Sequence, residues 1–144
     1  MNTHAITQVG NSTTGLSGYS ELAGRILIAS VFLISGLMKI GFYAATAGYM
    51  DAMGVPGALL PVVIAFEVLS ATALIVGWKT RLTAFLLAGF TLLSGLVFHS
   101  NFADQLQTVM FLKNIAITGG LLLLVANGAG TFSLDRRAVN RRPS

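Results

Sequence analysis

Four ionisable residues interrupt stretches that are otherwise almost wholly apolar: Lys39, Glu67, His99 and Lys113, the last followed by Asn114. A charge near the middle of a bilayer costs at least about 2.5–3.5 kcal/mol even on the mildest insertion scale. Each such group therefore needs a partner, a wetted pocket or a neutral form. At 1.5 Å per residue, Glu67 and Lys113 differ in depth by only about 6 Å, within side-chain reach. We therefore expect one polar cluster in the outer half of a helix bundle, centred on a Glu67–Lys113 pair, with Asn114, Lys39 and His99 around it. Simpler roles compete at each position. Lys39 can snorkel to the outer headgroups, His99 can be an interfacial helix-end residue, and the pair can be a purely structural tie between two helices.

Much other chemistry has no apparatus here. The chain has no cysteine, so it offers no disulfide, thiolate nucleophile or iron–sulfur ligation of its own. His99 has no second histidine nearby, which argues against a haem or metal site. Neither a nucleophile–base arrangement nor a phosphate-binding glycine loop is present. No catalytic residue is assigned, and any electrons the chain handles would need a bound cofactor.

The elements that must position the cluster follow from composition. Of 144 residues, 54% are hydrophobic and only 10% charged, against about 25% charged in soluble domains. Lipid is the solvent that accounts for the missing charge. Four apolar runs, about 22–41, 57–77, 82–99 and 108–126, each approach the ~20 residues that cross a bilayer as a helix. They are too long, and too uniform, for the alternating strands of a membrane barrel. The expected fold is an all-α, four-transmembrane-helix bundle.

Orientation is read from Lys and Arg. Arg25 begins the first run, Lys79 and Arg81 separate the second and third, and Arg136, Arg137, Arg141 and Arg142 follow the fourth. These are seven of nine basic residues, and four crossings put them on one side, which the positive-inside rule makes cytoplasmic. Both termini are then cytoplasmic, and the net charge of +4 serves orientation rather than nucleic acid.

Residues 1–20 are polar and lack Lys and Arg, which suits a disordered leader better than a signal peptide. Residues 21–135 form the transmembrane domain and 136–144 a basic tail, also expected to be disordered from 137 onward. Tyr43, Ala47, Met50 and Gly54 recur at helical spacing in the loop 42–56, which fits a short surface helix stopped by Gly54-Val55-Pro56, with a loosely ordered connector as the equal alternative. Ala84-xxx-Ala88 and Ala116-xxx-Gly120 would let helix backbones approach closely. A faint internal repeat sets Leu33-Ile34-Ser35-Gly36-Leu37 against Leu92-Leu93-Ser94-Gly95-Leu96, and makes Glu67 the counterpart of Lys113.

Taken in order, these features resemble the DoxX family of small bacterial membrane proteins. They are Arg25, then Ser35-Gly36-Leu37-Met38-Lys39, Gly54-Val55-Pro56, Glu67, and Gly77-Trp78-Lys79-Thr80-Arg81. Phe111-Leu112-Lys113-Asn114-Ile115-Ala116, Gly119-Gly120-Leu121-Leu122 and the ending Gly128-Ala129-Gly130-Thr131-Phe132-Ser133-Leu134-Asp135 complete the set. The resemblance spans roughly residues 20–135. It implies a four-helix bundle in the bacterial inner membrane. Some such proteins are subunits of membrane redox systems, such as thiosulfate:quinone oxidoreductase, or assist redox-protein maturation. The leading expectation is an accessory or quinone-contacting subunit, partnered by a redox-enzyme subunit and by the lipid bilayer. A small proton-coupled transporter or permeability factor, and a scaffold without a ligand, remain open beside it.

Overall fold

The computed structural model describes residues 3–140, with the side chains of 3–14 left out of the description. The helices are α1 (Thr3–Gly41), α2 (Tyr43–Ala52), α3 (Leu60–Val76), α4 (Thr80–Phe98), α5 (Gln105–Asn127) and α6 (Leu134–Asn140). A 3-10 turn, Gly57–Leu59, leads into α3. Four segments are long and apolar enough to cross a membrane: Gly15–Gly41, Gly57–Val76, Thr80–Phe98 and Gln105–Asn127. They coincide with the four expected runs. The short helix expected within 42–56 is α2, and Gly54 (φ +79) follows it.

The polar stretch expected to be a disordered leader belongs instead to α1, which begins at Thr3. No proline interrupts Thr3–Gly41, so a helix nucleated in the apolar run extends outward at one hydrogen bond per residue. Tertiary contacts hold it there. Tyr19 stacks on Phe132 with ring centroids 5.1 Å apart, and Gly18 is buried against Thr131 and Phe132. At the other end, α6 carries helix to Asn140, through part of the expected tail. Residues 1–2 of the leader and 141–144 of the tail lie outside the described residues.

The spans pack as two hairpins, α1 against α3 and α4 against α5, which meet in a shared core. Ala29 and Phe32 of α1, Ala71 and Leu74 of α3, Ala84, Leu87 and Ala88 of α4 and Leu121 of α5 form that core. Glycines set the closest approaches. A Cβ on Gly36 would lie 2.8 Å from Val68 Cγ2, and one on Gly95 would lie 3.1 Å from Asn114 Cβ. In the internal repeat Gly36 corresponds to Gly95 and Val68 to Asn114. These close glycine contacts of the two hairpins thus fall at positions that the faint repeat aligns.

Both described chain ends, together with the α3–α4 turn, lie at one end of the bundle, the terminal end. The α1–α2 and α4–α5 connections lie at the opposite, distal end. The terminal end is laced by irregular backbone. Gly77 ends α3 at φ +70, and its carbonyl accepts from Asp135 N at 2.9 Å. The Asp135 carboxylate accepts from the amides of Lys79 (2.7 Å) and Thr80 (2.9 Å), capping α4. Arg25, expected to be a plain cytoplasmic anchor, is 1% exposed. It donates to the carbonyls of Ala129, Phe132 (2.6 Å) and Ile75 (3.4 Å).

Gly77 is a tight point of this closure, since a Cβ there would lie 2.5 Å from Ser133 Cβ on a positive-φ residue. We expect Gly77→Ala to destabilise by about 1–3 kcal/mol, from backbone strain and displacement of the returning segment. Gly24, with nothing within 4 Å of a Cβ, serves as the control. Gly24→Ala is expected to be neutral or slightly stabilising. Thermal unfolding in detergent separates the two.

Candidate functional site

The distal half of the bundle encloses a cavity of about 440 Å³ walled by α1, α2, α3, α4 and α5. Most of the wall is apolar, with Phe32, Met50 and Phe90 among its residues. Its polar face is built from two adjacent helices. Ser35 and Lys39 are four residues apart on α1, so they share one face. Gly36 lets that face approach α3 at Glu67 and Val68. Lys39 Nζ donates to Glu67 Oε1 (3.0 Å) and Oε2 (2.9 Å) and to Ser35 Oγ (2.6 Å). Ser35 Oγ in turn donates to Glu67 Oε1 (3.2 Å), closing a triangle.

Side-chain exposure is 4% for Glu67 and 24% for Lys39. The carboxylate is thus sealed between helices while the ammonium reaches the cavity. All three ammonium hydrogens have acceptors, and both carboxylate oxygens have donors. Such full satisfaction is what an ion pair needs at low dielectric.

Further polar groups line the cavity, Asn114, Thr91 and His99 among them. Asn114 stands on the α5 wall against Gly95, and Thr91 donates to the Leu87 carbonyl at 2.7 Å. His99 caps the end of α4 at the rim, with its Nδ1 2.7 Å from Gln107 Oε1. Because that amide oxygen can only accept, Nδ1 carries the proton in this arrangement. Across the rim, Tyr49 of α2 stacks on Phe98 at 5.7 Å and donates to the Phe98 carbonyl at 3.3 Å. Asp51 fastens the far end of α2 by accepting from Gly57 N at 2.7 Å. α2 is therefore a cover over the cavity. Among the described residues, no group of three His, Cys, Asp or Glu is placed to hold a metal ion.

Lys39, Glu67, His99 and Asn114 thus meet in one cavity, whereas Lys113 does not join them. The expected Glu67–Lys113 pair is replaced by Lys39–Glu67, and Lys113 is exposed on the outer surface of α5. Depth arithmetic placed Lys113 at the right level but ignored the helix face. Neighbouring residues on a helix point about 100° apart, and Asn114 takes the inward position against Gly95. A usable signal lay in Ser35-Gly36-x-x-Lys39. The hydroxyl and ammonium fall on the face that the small residue brings against the next helix.

A polytopic membrane helix bundle, with a buried ion pair forming one wall of an intramembrane cavity, is the class that this fold and site define. Residues 20–100 match the DoxX family, and the chain belongs to that family. It is 50% identical over 121 residues to inner membrane protein YqjF of Escherichia coli (strain K12), covering 84% of this chain and 93% of that protein. It is 34% identical over 123 residues to inner membrane protein YphA of the same organism, covering 81% of this chain and 88% of that protein. No solved structure gives a significant match. The chain is an integral, multi-pass protein of the inner membrane.

Removing one partner of a buried ion pair costs about 3–5 kcal/mol in soluble proteins, and less where water or a neutral form can relieve the survivor. We expect Lys39→Met and Glu67→Gln each to lower thermal stability in detergent, and the double variant to recover part of the loss. The coupling between them should exceed ~0.5 kcal/mol, while Lys113→Met and Glu67→Gln should simply add. Additivity for Lys39 and Glu67, or coupling for Lys113 and Glu67, would contradict the observed pairing.

Proposed function

We propose that this protein is an accessory, quinone-contacting subunit of an inner-membrane redox system. In this reading the distal cavity receives the quinone head, and both chain termini face the cytoplasm. One observation carries it: a mostly apolar cavity among the membrane-spanning helices, with a Lys39–Glu67–Ser35 network on one wall and Asn114 on another. A quinone is an apolar body whose ring oxygens accept hydrogen bonds. The Asn114 amide is a donor on one wall, and the Lys39 ammonium, its hydrogens held by Ser35 and Glu67, places a positive charge on another wall, of a space within the range of small-molecule sites. The aliphatic and aromatic lining suits the ring and the start of an isoprenoid chain.

The chain supplies no cysteine and no metal cluster among its described residues. In this reading electrons pass between the quinone and a partner subunit, and this protein positions the head. The basic residues Lys79, Arg81, Arg136 and Arg137, all at the terminal end, support the cytoplasmic orientation.

The test is purification in mild detergent, solvent extraction and identification of quinone by mass spectrometry. It is followed by titration with a short-chain quinone monitored by thermal stability. We expect co-purifying quinone and a saturable rise in melting temperature that Asn114→Leu weakens. Solute-dependent flux in liposomes, with neither bound quinone nor a stability shift, would overturn this reading in favour of a transporter or permeability factor. Orientation has a separate test. A reporter fused after Ser144 should be active in its cytoplasmic form and silent in its periplasmic form, and the reverse would refute the assignment.

A further inference from the structure

Lys113 carries a charge at membrane depth with no hydrogen-bond or ion-pair partner among the described residues. It lies eight residues along α5, about 12 Å from Gln105, and Glu67 lies seven residues along α3, about 10 Å from Leu60. Both helices start at the distal end, so the two residues lie at similar depth. Yet Glu67 is buried and paired while Lys113 is exposed, and among the described residues Lys39–Glu67 is the only ion pair.

The internal repeat explains the difference. Glu67 and Lys113 are counterparts, and the counterpart of Lys39 is Phe98. The first hairpin therefore supplies a cation opposite its carboxylate. The second supplies an aromatic ring where an acid opposite Lys113 would stand. The other carboxylates lie toward the two ends of the bundle, away from the depth of Lys113. Asp51 holds Gly57, Asp104 caps α5, Asp135 caps α4, and Glu21 lies against Gly130. A second copy of this chain has no free carboxylate at the depth of Lys113.

The surface around Lys113 is shaped for a helix. Val109, Leu112, Ala116, Gly119 and Leu123 are exposed on the same side of α5. A Cβ on Gly119 would meet nothing within 4 Å. Ala116 and Gly119, one and two turns beyond the lysine, present little side-chain bulk there, so another backbone can approach closely. We infer that this face of α5 docks a transmembrane helix of a different protein, one that carries a carboxylate at the depth of Lys113. Charge complementarity selects that partner, because an uncompensated ammonium at this level is costly and a carboxylate on a neighbouring helix relieves it. The inference deepens the accessory-subunit reading by naming the surface and chemistry of the partner. It does not depend on what the cavity holds.

The competing arrangement is a lysine stem that leans toward the distal end and snorkels to the headgroups. A bilayer experiment separates the two. The full chain, with a donor fluorophore on Asn101→Cys, is placed in phosphatidylethanolamine–phosphatidylglycerol vesicles. Acceptor-labelled, leucine-rich transmembrane peptides carrying Glu, Gln or Leu at the depth of Lys113 are then titrated in. We expect the Glu peptide to associate about tenfold more strongly than the Leu peptide. That preference should vanish in Lys113→Met and persist in Lys113→Arg. Lys113→Met should also melt at the wild-type temperature, since the side chain holds nothing within the chain. Equal association of all three peptides would overturn the inference in favour of snorkelling. Energy transfer between copies of the chain that Lys113→Met abolishes would overturn it in favour of self-association. Quinone binding is read independently, so either proposal can fail alone.

Discussion

Glu67 stands in the interior of a helix that must cross hydrocarbon, and much of the distal half of the molecule follows from how its charge is met. Lys39 reaches it from the neighbouring helix, Ser35 bridges the two, and Gly36 lets the backbones come close enough. None of the four has a substitute nearby. A larger residue at position 36 would move α1 off Val68, lengthening the contacts of Lys39 and Ser35 with Glu67. The same approach leaves space on the inner side of the pair, where the cavity opens beneath α2. Helix packing, charge compensation and the polar wall of the site are thus one local arrangement.

The terminal end solves a different problem. There the chain leaves regular helix for residues 128–133, and the carbonyls of Ala129 and Phe132 turn toward Arg25. Arg25 supplies the donors, because a guanidinium can address several carbonyls at once from a fixed fork. Asp135 then caps α4 while its own amide closes on Gly77. The bundle is thus clasped at both ends by a polar residue of α1, and Arg25 and Lys39 face opposite needs. One satisfies backbone acceptors and the other a carboxylate.

The four spans were legible because each is a long apolar run with few charges, and α2 because its spacing is helical and Gly54 follows it. The start of α1 was not legible. Gly, Ser, Thr and Asn argue for disorder in isolation, and only the fold brings Phe132 and Thr131 back against residues 18 and 19. Glu67, Lys39, His99 and Asn114 were recognisable as polar residues out of place. Their grouping depended on helix faces and on which helices pair, neither of which residue spacing determines. Lys113 shows the limit, since it has the right type and depth but the wrong face. The contacts of Arg25 were not legible for the same kind of reason. Its partners are backbone carbonyls about fifty and a hundred residues away, which leave no trace in side-chain types.

Within the DoxX family, the central claim for this chain is that Lys39, not Lys113, compensates Glu67 inside the membrane, and that the pair forms the polar wall of the cavity. The most direct measurement is a solid-state NMR nitrogen–carbon distance in lipid bilayers. The lysine side-chain nitrogen and the glutamate carboxyl carbon would be labelled in a Glu21→Gln background, so that Glu67 is the only glutamate observed. Lysine resonances would be assigned by Lys39→Arg and Lys113→Arg. The account predicts strong dipolar coupling from Lys39 to Glu67, consistent with N···O contacts of 2.9 and 3.0 Å, and none from Lys113. Coupling of Glu67 to Lys113, or to neither lysine, would contradict it.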